Sequence, residues 1–186
     1  MSMRTWCCTL LLVLALVPAA GADELLINGT FEEDLEVGWQ QILDGGNLYR
    51  ATNYDDDEDY EARAHKGTGT GGAELRQEVA IPGLDATFHA ALRPLASATS
   101  SAWAGSGIRV GYLDDAGTLL GETHLGVITS YCPWENSPTF HLIELDPGVW
   151  QERGFRIDEE LANLPGVDPA EVRRLRVSLL VDVYDC

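Results

Sequence analysis

The chain predicts an all-β protein: a two-sheet antiparallel β-sandwich with at most one or two short helices. Three observations carry this. Apolar and polar residues alternate with a period of two along five stretches, while helical periodicity is nearly absent. Short breaks such as "IPGLD", "LDDAGT" and "LDPGVW" separate the apolar runs, as turns between strands do. No internal repeat or linker divides the chain, whose length suits one core.

Residues 1–22 are read as a secretory signal peptide rather than part of the fold. One charge in "MSMR" precedes the apolar run "TWCCTLLLVLALVP", and small residues Ala20 and Ala22 precede the expected cut before Asp23. The run is short of the roughly 20 apolar residues a span needs, so no membrane span is expected after cleavage. The expected domain, 23–186, has 164 residues. Its expected compartment is extracellular or periplasmic.

Leu25 and Ile27 are placed in a first strand, with a turn at Asn28-Gly29. Residues 53–72 read as a long loop, whose run Asp55–Asp59 lacks the glycine and terminal glutamate of an EF-hand and is expected to be solvated. Ala73, Leu75, Val79 and Ile81 then share one strand face, with Glu74, Arg76 and Glu78 on the other. Ala86, Phe88, Ala90 and Leu92 mark the next strand, and Ile108, Val110 and Tyr112 the one after. "DDAG" should close a hairpin. "TFHLIEL" alternates around Phe140 and Leu142, and the closing stretch places Leu175, Val177, Leu179, Val181 and Val183 on one face. One helical turn is expected at "GVDPAEVRRL", with Asp168 as N-cap and Pro169 in the first turn. "ASATSSAWAGSG" and "VITSYCPWENSP" read as loops, where binding residues concentrate.

Two cysteines outside the leader, Cys132 and Cys186, are expected to form one disulfide in an oxidising compartment. The formal charge is −18, and loss of Arg4 makes it −19. Such acidity argues against nucleic acid, whose phosphates need Lys and Arg. No G-x-S-x-G, H-E-x-x-H or C-x-x-C occurs, so an enzyme is not the expectation.

The stretch "LLINGTFEEDLEVGW", residues 25–39, resembles the N-terminal signature of secreted β-sandwich modules with a galactose-binding-like jelly-roll fold, among them many carbohydrate-binding modules. "HKGTGTGGAELRQEV" and "LANLPGVDPAEVRRLRVSLLV" are looser matches to later segments of those modules. Read physically, Phe31 turns into the core as a plug, Trp39 packs, and Glu32 is held beside the sandwich. The resemblance implies a structural calcium site built from the Thr30 carbonyl, the Glu32 carboxylate and carbonyls near Lys66 and Gly67. A closing aspartate inside an Asp-Asp-Val or Asp-Asn-Val motif would complete it, and here Asp182 or Asp185 is the candidate, neither inside such a motif. On the same comparison a final strand would be expected beyond Cys186.

The resemblance also implies non-catalytic binding of an extracellular glycan or polysaccharide. Flat aromatics suit the apolar face of a sugar ring, and the candidates are Trp103, Tyr131 and Trp134, with Glu135 and Asn136 for hydroxyls. The alternative role of these aromatics is to cap the ends of the sandwich. Two rival functions remain open: an extracellular structural or adhesion module with a protein partner, and a glycan-active enzyme with paired carboxylates across a cleft.

Overall fold

Alternating side chains turn into strands wherever one face can be buried, and here two faces meet. The computed structural model describes residues 9–13, 24–52, 59–99 and 101–186. Its strands are β1 (Thr9–Val13), β2 (Gln40–Asp44), β3 (Asn47–Ala51), β4 (Glu61–His65), β5 (Gly71–Ala80), β6 (Thr87–Leu95), β7 (Trp103–Leu113), β8 (Leu119–Ile128), β9 (Phe140–Glu144), β10 (Gln151–Arg156) and β11 (Arg174–Tyr184). A five-stranded sheet runs β10-β6-β1-β4-β3, and a six-stranded sheet runs β2-β5-β11-β7-β8-β9. Ala62, Ala64, Phe88, Ala90 and Leu92 of the first pack against Leu75, Ile108, Val110, Leu179 and Val181 of the second, which makes a β-sandwich. Among the described residues no helix is long and apolar enough to cross a membrane.

The expected strand faces hold for β5, β6, β7 and β11. Leu175, Val177, Leu179, Val181 and Val183 are all buried. The "DDAG" turn joins β7 to β8, with Asp114 accepting from the Thr118 amide through Oδ1 at 2.8 Å. At the expected helical turn the chain forms a single 3-10 turn, Pro169–Glu171, and Asp168 Oδ1 caps it by accepting from Ala170 N at 2.9 Å. Phe31 is fully buried, with its ring 5.4 Å from that of Trp39.

Five expectations are corrected. Leu25–Ile27 is not a strand. Instead the inward-facing side-chain amide of Gln77 on β5 bonds both main-chain groups of Ile27, at 2.8 and 2.9 Å, and so takes the place of a neighbouring strand. The long loop before β5 contains β4, whose inward positions are the small residues Ala62 and Ala64; of the acidic run only Asp59 lies within the described residues. The second half of "ASATSSAWAGSG" belongs to β7. The sheets are not wholly antiparallel, because the long 129–139 connection returns the chain so that β9 runs parallel to β8.

The fifth correction is the disulfide: Cys132 and Cys186 are both free. They belong to different packing clusters. Cys132 packs with Trp134 and Leu180, whereas Cys186 packs against the main core.

The sequence also gave no sign of α1 (Ile157–Leu161), a five-residue helix. It is fastened by Glu160, which is 5% exposed. Glu160 Oε1 accepts from Thr123 Oγ1 at 2.8 Å and lies 2.5 Å from His141 Nδ1, while Oε2 accepts from Asn163 Nδ2 at 3.1 Å. Tyr112 extends the chain of bonds through Thr123. Burial raises the Tyr112 hydroxyl well above its ordinary value, so it stays protonated. A buried carboxylate needs such a full set of partners.

Candidate functional site

The face of the six-stranded sheet turned away from the core is divided into two halves. Toward its middle lies a charged band. Arg109 pairs with Glu74, Arg176 Nη2 lies 2.6 Å from Glu78 Oε1, Arg174 Nη2 lies 3.2 Å from Glu78 Oε2, and Ser178 Oγ donates to Glu74 at 2.7 Å. These charges satisfy one another across neighbouring strands. Toward the end of β11 the face becomes aromatic.

That end is built rung by rung from the β7–β11 register. Trp103 faces Tyr184 on the last rung, and Gly105 faces Asp182 on the rung two residues inward. The rings of Trp103 and Tyr184 stack with centroids 6.3 Å apart and planes at 11°. Tyr184 is 51% exposed, and Trp103 is half-buried. A two-residue step along a strand puts Asp182 about 7 Å from that pair. Burial raises the carboxyl of Asp182, and the charge of Asp44 raises it further. Tyr131, 75% exposed with φ 70°, stands in a turn that is tied to this edge: Thr129 N donates to the Ala104 carbonyl at 2.9 Å.

Trp134 lies on the same face but is only 9% exposed. It rests on Gly105, where any Cβ would meet the indole ring at 2.8 Å. Its ring also meets His124 edge-on at 4.6 Å. Together with Leu180 and Cys132 it makes a second, smaller apolar cluster outside the main core, against which Trp103, Ile128, Phe140 and Leu142 pack. Burial pushes the His124 imidazole below its ordinary value despite Glu122 3.3 Å away, so the ring under Trp134 is neutral near pH 7. At Glu122 burial alone would raise the carboxyl, but the His124 hydrogen bond and the charges of Arg109 and Arg176 hold it low. Burial also pushes the Cys132 thiol up to about 11.

The structure therefore brings Trp103, Tyr131, Trp134 and Asp182 to one end of one face. Glu135 and Asn136 are exposed in the adjoining loop, and Asn136 Oδ1 is held by the Leu142 amide at 2.6 Å. Sequence reasoning missed Tyr184, whose only signal was its outward parity at the end of the β11 alternation.

Side-chain cations stand beside the residues implied for calcium. Arg50 donates to the Phe31 and Glu32 carbonyls, which sets a guanidinium beside the Thr30–Glu32 turn. Lys66 is buried, with its ammonium 2.8 Å from the Thr68 carbonyl, so a fixed cation stands next to Gly67. The nearby Ile27 is bonded at Gln77, whereas Asp182 pairs with Gly72, five residues and about 17 Å further along β5. Among the described residues no group of three or more His, Cys, Asp or Glu could hold a metal ion.

At the far end of β11 a cavity of about 410 Å³ is lined by Ile81, Leu84, Ala170, Val172 and Arg173. It holds none of the candidate residues. In comparison with known proteins, no family model matches the chain and no curated protein matches it.

Proposed function

We propose that this protein is a secreted, non-catalytic carbohydrate-binding module of galactose-binding-like jelly-roll type. The observation that carries this reading is the Trp103–Tyr184 stack, half-buried at Trp103 and exposed at Tyr184, with Asp182 two residues inward. A pyranose ring lays its apolar C–H face on flat aromatics and offers hydroxyls around its rim. Here the sugar packs on Trp103 and Tyr184, and Tyr131 closes from the side. Asp182, Glu135 and Asn136 supply acceptors for the hydroxyls. Trp134 contributes the floor beneath them rather than a contact. The site is open, which suits an extended polymer more than a small free sugar.

No reacting groups are needed. On this reading any calcium is structural, and Asp182, the one candidate the two sites share, serves the ligand. A glycan array probed with the full chain, uncut and cut after residue 22, in calcium and in chelator, tests the proposal. The expected result is binding to one glycan class in both conditions, lost when Trp103 and Tyr184 are both changed to Ala. Retention of no glycan, or equal binding by the double variant, overturns it.

A further inference from the structure

The five-stranded sheet is completed by β1, and β1 comes from the aliphatic stretch read as the heart of the leader. The two roles conflict in time. While Thr9–Val13 is present it pairs antiparallel with β4 over four residue pairs and with β6 over five. Once a leader is cut away, β4 and β6 face each other across one strand's width, about 9.6 Å apart, with main-chain groups aimed into the space. The position is central, since β3 and β10 continue the sheet on either side, and β11 and β7 of the other sheet lie beneath it.

We propose that the position between β4 and β6 is a strand-acceptor site, which takes an extended aliphatic segment of a partner protein after residues 1–22 are removed. The occupant's chemistry is set by its surroundings. The rungs at positions 10 and 12 are flanked by Ala64 and Pro94, and by Ala62 and Leu92, all buried. Cross-strand partners share a face, so the occupant's residues on those rungs face the core. Alanine on the β4 side leaves room for large side chains there, as in the sequence Thr-Leu-Leu-Leu-Val. Pro94 does not spoil the site. Its carbonyl accepts from Gly148 N at 2.7 Å on the far side of β6, so the missing N–H falls on that side too. Recognition is then strand addition, with main-chain hydrogen bonds for affinity and alternate side chains for selectivity.

A second copy of the chain is the poorer occupant. Among the described residues from 24 onward, the aliphatic stretch Leu25–Ile27 is already tied to Gln77.

The test uses the full chain with a protease recognition sequence inserted between residues 22 and 23, folded and then cut. The probe is a fluorescent peptide carrying Thr-Leu-Leu-Leu-Val between lysine pairs. The expected result is saturable binding at least tenfold tighter to cut than to uncut protein, because the tethered strand competes at high effective concentration. Amide exchange in β4 and β6 should quicken when the cut segment is washed away and slow again with peptide. Aspartate at the two inward peptide positions should abolish binding. Cut protein that unfolds when stripped and regains structure with the peptide also supports the site. Equal binding to cut and uncut protein, equal binding of the aspartate peptide, or folded cut protein that ignores the peptide overturns the proposal. So does unfolding that the peptide cannot reverse. Concentration-dependent self-association that protects β4 and β6 would make a second copy the occupant and overturn the partner reading.

Discussion

Trp103 and Trp134 stand on the same sheet face, a few residues from the same loop, and do opposite work. Trp134 lies over a glycine and edge-on to a buried imidazole, so its ring is enclosed on both sides. Trp103 stands on the last rung, stacked on Tyr184 and packed against the edge of the Trp134 cluster, and it stays half-buried. What a large aromatic does is thus decided by what its neighbours leave open. One ring fastens a loop, and the other is the one we propose a ligand meets.

The sharpest way to break this comparison is to truncate both rings. Trp134→Ala removes an enclosed indole and should destabilise the fold by about 3 to 5 kcal/mol. For a domain of this size that lowers Tm by about 10 °C, read by calorimetry. Glu160→Ala is the control, because it strands His141, Thr123 and Asn163 on the side of the sheet opposite the two tryptophans. It should destabilise by about 2 to 3 kcal/mol, in urea melts, and leave glycan affinity unchanged below its Tm. If it weakens binding as much as a platform change does, the platform is not the site. Trp103→Ala should do the reverse: about 2 kcal/mol of binding, roughly 30-fold in Kd by titration calorimetry, and little change in Tm.

How much of this was readable beforehand differs between the two rings. Both were picked out as loop aromatics, but the glycine that admits Trp134 sits in β7, far away in sequence, and no local pattern reveals that meeting. The same holds for the fold. β5, β6, β7 and β11 carry large apolar residues at alternate positions, and their faces were legible. β8 was not, because Gly121, Thr123, His124 and Gly126 interrupt the apolar code where strands and loops approach closely. β4 writes its inward face in alanine, and α1 is too short to show a helical period. Gln77 replaces a strand partner for Ile27 through a side chain, a substitution that alternation cannot express.

Two smaller effects sharpen the contrast further. His124 is kept neutral beneath Trp134, with its folded value below 6.5, so the unfolded chain binds the proton first. Stability from this site is whole above about pH 6.5 and falls as pH drops toward the lowered folded value. His124→Phe should flatten that part of a Tm-against-pH curve, while Trp103→Ala leaves it unchanged. The two thiols report on the same two regions. Cys132 lies within the Trp134 cluster and is held protonated, whereas Cys186 Sγ lies 3.4 Å from the Trp103 carbonyl in a partly open position. In residues 23–186 without reductant, a thiol reagent should label Cys186 first and Cys132 only on unfolding or in Trp134→Ala. A mass two units low, with no thiol labelled after denaturation, would restore the disulfide.

Phe31 adopts φ 58°, a torsion that bulky side chains avoid, and its ring is wholly enclosed. Such a backbone persists only while its surroundings over-determine it, at about 1 to 3 kcal/mol. The turn is therefore expected to hold only while the socket for the benzyl group is assembled. In a misassembled molecule the ring has no socket, the angle relaxes, and the amino-terminal stretch becomes digestible. A single dihedral thus works as an inspection step that separates finished molecules from unfinished ones.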